Sequence, residues 1–427
     1  MQLLEKQMRI CFVSHEYAYK PPFGGVASYT LNTARWLAAH GHDVHVVCPT
    51  RTETPQTLQD MDVNLHLTAP KRIRPRRILK YLSRLPGLGF MYEAFCGWNL
   101  VEDSAGVWHT IRALSRQCKF DIIECSDFRG LAFWGLILPK RTHPIMIRGH
   151  GYLDLTLPNT NFPGRYFHHS FERFCLQRAD FVVTNSRFLA SVYKEKFGVH
   201  PKRLGCVYYG FHLTHITHTS AHSLDLSPRN NSDGKPVVFI YIGSLDYLKG
   251  TDVLFEALQI AHQKFPFLKA VFVGKLSDNV ADRYQRFFSE AADWASHIGS
   301  VPPDAVWSSL AESNVLTLPS RSETFGRVLV EAQLAGLPVI GSRIGGIPEI
   351  IAHEQTGLLV ESGNALELAN AMLTLCYHPE LRVEMGRRGH EIARERFAMD
   401  SVMEQQMTVY RALIEGCLSK FSVVEER

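Results

Sequence analysis

No stretch of about 18 apolar residues occurs in the chain, so a membrane-spanning helix is excluded as its organising feature. Cysteine pairs at metal-binding spacing are also missing. The nine cysteines (Cys11, Cys48, Cys96, Cys118, Cys125, Cys175, Cys206, Cys376, Cys417) are odd in number and scattered, with no C-x-x-C pair. Neither a disulfide framework nor a structural zinc is expected, and a reducing compartment is. The opening residues Met1 to Gln7 lack the apolar core of a cleavable leader, which makes the cytoplasm the expected location. Charge of one sign is scarce too: 46 Lys plus Arg against 42 Asp plus Glu leave +4. That excess is too small for nucleic-acid binding across the molecule, so any basic function must be local. No short internal repeat suggests a solenoid. What remains, 45% hydrophobic and 21% charged residues over 427 positions, is ordinary globular usage with length for two or three domains.

The apolar runs Ile10 to Val13, Val44 to Val47, Ile122-Ile123, Ile145 to Ile147 and Phe181 to Val183 read as buried strands separated by helical stretches. The rhythm restarts at Val237 to Tyr241 and continues through Ala270 to Val273, Val315 to Leu318 and Val339-Ile340. Strand-helix alternation predicts parallel α/β sheets, here in two domains of similar size. Residues 1–213 form the first, 235–398 the second, and 399–427 a closing helix. Between them, 214–234 is rich in His, Ser, Thr and Asn and reads as a linker. Its His212, His215, His218 and His222 could share one helical face as metal ligands, but no acidic or Cys companion accompanies them, and a solvated connector is expected. Open α/β sheets bind ligands beyond the carboxyl ends of their strands, so two such domains facing each other would place the chemistry in the cleft between them.

The segment from Leu318 to Ile340 is the most informative. A strand ends at Leu318, a polar loop follows, and a helix is predicted from near Phe325. The first amides of a helix have no intrahelical partner and, with the helix dipole, favour phosphate. Gly326 would let a ligand approach the backbone closely. Glu323 sits at the helix mouth and Glu331 eight residues on, about 12 Å along the axis at ~1.5 Å per residue. Glycosidase carboxylates stand only about 5 to 9.5 Å apart. The longer spacing suits two parts of one extended ligand, as in a nucleotide sugar.

The Glu-x7-Glu segment, with Ser322-Glu323-Thr324-Phe325-Gly326 and the downstream Gly336-Leu337-Pro338 and Gly345-Gly346-Ile347-Pro348-Glu349, closely resembles the retaining family 4 glycosyltransferases of GT-B fold. The likeness continues through Phe12 to Glu16 with Gly24-Gly25, the Arg35 to Val44 stretch, Thr184-Asn185-Ser186, Gly243 to Gly250, Gly357 to Val360 and Arg396-Phe397, nearly the whole chain. The resemblance implies that Glu323 contacts the donor sugar, Glu331 the ribose, and the Phe325 and Gly326 backbone the sugar or phosphate region. It implies that Lys249 holds the diphosphate, with Gly24-Gly25 directing amides to it, and that His150 stands near the reacting sugar. Glu323, His150 and Lys249 are thus the catalytic candidates. Gly24, Gly25, Ser244, Lys249, Lys275, Phe325, Gly326 and Glu331 are the donor-binding ones. The resemblance implies that the acceptor attacks from the leaving-group face, so no protein nucleophile is needed; no cofactor or essential metal is expected either.

Two departures stand out. Where the family carries an Arg that clamps the diphosphate, this chain has Ser244, and Lys275 is the expected partial substitute. The family's Pro-Asn-Gly-Val-Asp is altered to Tyr208-Tyr209-Gly210-Phe211-His212. Ser244 keeps open a nucleotide-sugar-binding scaffold or regulatory subunit as the alternative, and a sugar phosphorylase on the same fold is a third option. Other motifs fail: Gly243 to Thr251 lacks the Gly before its Lys that a P-loop needs, and Asp60-Met61-Asp62 follows no apolar strand as an Asp-x-Asp metal site would. Lys71, Arg72, Arg74, Arg76, Arg77, Lys80 and Arg84 pack seven cations into fourteen residues beside apolar Leu85 to Tyr92. Such a stretch can lie on an anionic leaflet, or remain solvated and face an anionic acceptor. The expected partners are a nucleotide-sugar donor and a saccharide or lipid-linked acceptor, with no nucleic acid. The expected activity is transfer of a sugar to a hydroxyl in surface polysaccharide or glycolipid synthesis.

Overall fold

The computed structural model describes residues 7–17, 24–51, 53–73, 89–137, 141–152, 165–213 and 236–417. The chain divides into two compact units, one built from Met1–Tyr208 and Met403–Arg427, the other from Tyr209–Val402.

The N-terminal unit holds β1 (Arg9–Val13), β2 (Asp43–Pro49), β3 (Gln56–Asp60), β4 (Val63–Thr68), β5 (Ile122–Ser126), β6 (Ile145–Gly149), β7 (Phe181–Thr184) and β8 (Leu204–Cys206). They form one sheet in the order β3-β4-β2-β1-β5-β6-β7-β8, parallel except for the β3–β4 hairpin. Helices cover the central strands, which explains why Ile122 to Ser126 and Ile145 to Gly149 are buried at every position. Trp108, Phe120, Tyr193 and Phe197 fill the main core. Asp60, from the Asp60-Met61-Asp62 motif set aside above, has a structural role. Asp60 ends β3, and its carboxylate accepts from Tyr17 Oη at 2.5 Å and from Arg35 Nη2 and Nε at 2.7 and 3.1 Å. The closing helix Met399–Glu415 brings Gln406 and Tyr410 to buried Glu124, which also accepts from Tyr29 Oη at 2.9 Å.

The second unit holds β9 (Val237–Ile242), β10 (Leu268–Val273), β11 (Ala295–His297), β12 (Val315–Leu318), β13 (Val339–Ser342) and β14 (Gly357–Val360). They form an all-parallel sheet in the order β11-β10-β9-β12-β13-β14. In an open sheet of this kind the ligand site lies where the strand order reverses. In the second unit that point is between β9 and β12, and in the N-terminal unit between β1 and β5.

Of the predicted linker and basic segment, 214–234 and Arg74, Arg76, Arg77, Lys80 and Arg84 lie outside the described residues, as do His215, His218 and His222. Lys71 and Arg72 are exposed, and Lys71 Nζ lies 3.3 Å from His109 Nδ1. Among the described residues no helix is long and apolar enough to cross a membrane, and no group of three or more His, Cys, Asp or Glu side chains could hold a metal ion.

Candidate active site

The loop after β9 begins at Gly243, whose φ of 154° sets its course beside Gly274 of the neighbouring loop (φ 140°); a Cβ at Gly274 would collide with the Gly243 carbonyl. Within this loop Asp246 accepts from Lys249 N–H at 2.9 Å and from the Ser244 hydroxyl. The carboxylate thereby folds the loop so that Lys249 projects from its end. Gly250 follows with φ 67° and starts the helix Thr251–Lys264, passing so close to the Pro319 carbonyl that a Cβ there would overlap it. On the other side of the switch point, Arg321 N–H donates to Leu248 O at 2.7 Å. Arg321 also grips Asp252 with both terminal nitrogens, at 2.5 and 2.8 Å, and its guanidinium lies 4.0 Å from the Tyr247 ring centre.

The two loops meet in one ion pair, Lys249 Nζ to Glu323 Oε2 at 2.6 Å. The side chains are 29% and 15% exposed, shielded but reachable. Burial alone would lower the Lys249 ammonium, but Glu323 and, further off, Asp246 outweigh it and the net shift is upward. Gly345 and Gly346 pack on the Glu323 and Thr324 carbonyls, and Gly346 N–H donates to Glu323 O at 3.2 Å, so the Gly-Gly pair is the backing of the Glu323 loop.

The helix after this loop runs Arg327–Leu334, two residues later than expected, because Gly326 at φ 96° makes a left-handed turn before it. The Phe325 side chain is buried among Tyr209 and Phe397, ring centres 5.2 and 5.8 Å away, and anchors the turn. Glu331 lies one helical turn after Arg327, Oε1 to Nη2 3.6 Å. Burial raises the Glu331 carboxyl, with Arg327 opposing. Arg327 is itself held over the Phe211 and Tyr209 rings at 4.9 and 5.6 Å. It went unnoticed in the sequence, although its spacing from Glu331 marks an i, i+4 pair. Lys275 is exposed, and its carbonyl accepts from Leu245 N–H at 2.8 Å, which places it alongside the Ser244 loop.

In the N-terminal unit, His150 follows β6 directly, and its ring meets Tyr29 edge to face at 5.1 Å. Buried Asp127, at the end of β5, organises this turn. Its Oδ2 accepts from His150 N–H at 2.9 Å, from Gly151 N–H at 3.1 Å and from the Tyr193 hydroxyl. Burial pushes the Asp127 carboxyl up to about 6 although these donors oppose it. Sequence reasoning missed Asp127, since no spacing pattern marks it. Gly24 caps the helix Gly25–Ala39 with extended backbone (φ −93°), so no left-handed turn requires glycine there; a Cβ would lie 2.8 Å from Glu16 Oε2.

The structure thus brings Lys249 and Glu323 together at the switch point of the second unit, with Ser244 in the same loop as Lys249; Phe325, Gly326 and Glu331 follow in the turn and helix after Glu323, and Lys275 stands in the loop after β10. Gly24, Gly25 and His150 belong to the N-terminal unit. Two open-sheet units, each with a reversal of strand order, have the architecture of the GT-B fold, and solved structures agree in fold. Sucrose-phosphate synthase from Thermosynechococcus elongatus covers 96% of this chain with 100% of its own at a TM-score of 0.74 and 20% identity. Anabaena HepE in complex with UDP-glucose covers 95% and 100% at 0.67 and 18%. The family model described as Glycosyltransferase Family 4 matches residues 23–215 and that of Glycosyl transferases group 1 matches 224–392. The chain belongs to the family 4 glycosyltransferases. D-inositol 3-phosphate glycosyltransferase of Pseudarthrobacter chlorophenolicus is 36% identical over 154 residues, 35% of this chain and only 36% of that protein. The enzyme of the same name from Corynebacterium glutamicum (strain R) is 24% identical over 430 residues, 95% of this chain and 97% of its own.

Proposed function

We propose that the protein is a retaining glycosyltransferase that moves a sugar from a nucleoside diphosphate sugar to a hydroxyl acceptor. The observation that carries this reading is the Lys249–Glu323 pair at the switch point of the second unit. A departing nucleoside diphosphate gathers negative charge as the glycosidic bond breaks, and a preorganised ammonium offsets it where water is scarce. When donor enters, Lys249 would turn to the diphosphate and Glu323 would accept hydrogen bonds from sugar hydroxyls. The pair holds each group in place until then. Glu331 would take the ribose hydroxyls, and the Phe325 and Gly326 backbone the region between. The acceptor would attack from the face the phosphate leaves, and that phosphate would take its proton, so the step needs no nucleophile, metal or cofactor from the protein.

Support for the donor class comes from HepE, which has been solved with UDP-glucose. The acceptor is proposed to be a saccharide or lipid-linked hydroxyl of surface polysaccharide or glycolipid synthesis. A cytoplasmic protein would meet it at an anionic membrane face through the Lys71 to Arg84 segment. A second reading, a binding subunit with little turnover, is favoured by one observation: the Ser244 hydroxyl is spent on Asp246 where the family carries a cation. Slow donor hydrolysis against UDP-, GDP- and ADP-sugars separates the two. Release from one donor, lost in Glu323→Ala, supports the transferase. Binding without release, even with lipid or cell-extract acceptors, supports the subunit.

A further inference from the structure

Arg148, near the end of β6, carries a charge into the core of the N-terminal unit, where it is 1% exposed. A buried guanidinium is tolerated only where its donors are taken up. Here Nη2 donates to the Val207 carbonyl at 2.7 Å and to the Tyr208 carbonyl at 3.2 Å, and Nη1 donates to Gln406 Oε1 at 3.2 Å. The chain leaves the N-terminal unit after Tyr208 and returns to it at Met403, so this one side chain holds the unit's end of both crossings. The guanidinium also lies 4.6 Å from the centre of the Tyr29 ring.

Tyr29, on the helix Gly25–Ala39, is fixed at its hydroxyl by Glu124 Oε1, while Glu124 Oε2 accepts from Gln406 Nε2 at 3.3 Å and from the Tyr410 hydroxyl. Burial, the largest influence on Glu124, raises its carboxyl, and Arg148 and the two tyrosines oppose it. Apolar side chains would seat the closing helix at a lower desolvation cost. What the hydrogen-bonded network adds is a single permitted geometry. That geometry reaches His150, two residues beyond Arg148. The His150 backbone is held by Asp127 and by Asn185 Nδ2, which donates to the His150 carbonyl at 3.2 Å. Backbone bonds leave χ1 and χ2 of the imidazole open, and the Tyr29 ring, meeting it edge to face at 5.1 Å, restricts them.

We infer that Tyr29 is the positioning residue of His150, and that Glu124 and Arg148 make its placement depend on how residues 403–415 of the closing helix are seated. That the placement serves sugar transfer rests on the transferase reading, in which His150 stands near the reacting sugar; the link from helix to imidazole does not.

The full chain is prepared with isotope-labelled histidine, and the His150 ring resonances are assigned by NMR with His150→Gln. Tyr410→Phe takes one hydroxyl from Glu124 and keeps every ring in place, so it reads the link from the closing helix alone. The His150 resonances are displaced in Tyr410→Phe and in Tyr29→Phe, and further in Tyr29→Leu. Resonances at the parental position in Tyr410→Phe would overturn the inference. On the donor that a panel of UDP-, GDP- and ADP-sugars shows to be cleaved, Tyr29→Leu lowers kcat by about tenfold or more and leaves KM within about threefold, since Lys249, Glu323 and Glu331 lie in the second unit. A lower melting temperature with parental kcat would reduce Tyr29 to a packing residue and overturn the inference as well. Tyr29→Phe and Tyr410→Phe each remove a single oxygen, and they carry both readouts if Tyr29→Leu does not fold. The two readings fail separately: displaced resonances in a protein that cleaves no donor sink only the transferase, and donor cleavage with unmoved resonances sinks only this link.

Discussion

Lys249 Nζ stands 2.6 Å from Glu323 Oε2 across the reversal of strand order, although 74 residues separate them in the chain. Removing either partner leaves the other half-buried and unpaired. Lys249→Ala is expected to lower donor turnover by about 10² to 10³-fold. Glu323→Ala should cost about 1 to 3 kcal/mol of stability besides activity, less than a fully buried pair because both groups see some water. Thermal melts beside donor hydrolysis check both, and a Lys249→Ala enzyme with parental turnover would contradict the assignment.

Gly345→Ala tests the backing of the Glu323 loop without touching its chemistry. The new Cβ meets the Glu323 carbonyl and must also adopt φ 57°, itself worth about 1 to 2 kcal/mol against any side chain. The expected result is a lower melting temperature together with weakened donor affinity. Unchanged affinity would mean that Glu323 is placed by something other than this glycine pair.

Ser244→Arg restores the cation that the family places in the β9 loop, and Lys275→Ala removes the one alongside. Arginine releases Asp246 from the serine hydroxyl and adds charge, so donor hydrolysis should rise several-fold. Lys275→Ala should reduce it in the parent and matter less in Ser244→Arg. Calorimetry with UDP checks the pair of variants, and additive effects would show that Lys275 does not substitute for the absent guanidinium.

Asp127 has its carboxyl raised from the ordinary 3.8 to about 6 by burial. The folded state therefore holds a proton that the unfolded state has lost between those values, and stability falls as pH rises from about 4 to 6. Asp127→Asn should remove that fall and gain up to about 3 kcal/mol near neutral pH, since one amide orientation keeps an oxygen on the His150 and Gly151 amides. Denaturant melts of parent and variant from acid to neutral pH decide it; parallel curves would mean that the carboxylate is as well solvated folded as unfolded.

Strands were legible where burial on both faces left uninterrupted apolar runs, as in Val315 to Leu318, which the structure reproduces to the residue. β3 was not, because an edge strand reading Gln-Thr-Leu-Gln-Asp buries almost nothing, and β11, three residues long, carries too few positions for a period to appear. In the candidate site, the motif pointed to Lys249 and Glu323 separately. Their pairing depends on the β9–β12 adjacency, which spacing along the chain does not encode. Asp127 stayed hidden for a related reason, since its partners come from the His150 turn and from Tyr193 on another helix.

The Leu248 carbonyl that receives the Arg321 amide, and the missing Cβ of Gly250 under Pro319, have a consequence for recombination. The loop bearing the ammonium and the loop bearing the carboxylate fit each other as a couple. A chimera that imports residues 243–250 from a relative while keeping 319–323 would mismatch this seam, whereas exchanging both loops together would keep the seam and its ion pair intact.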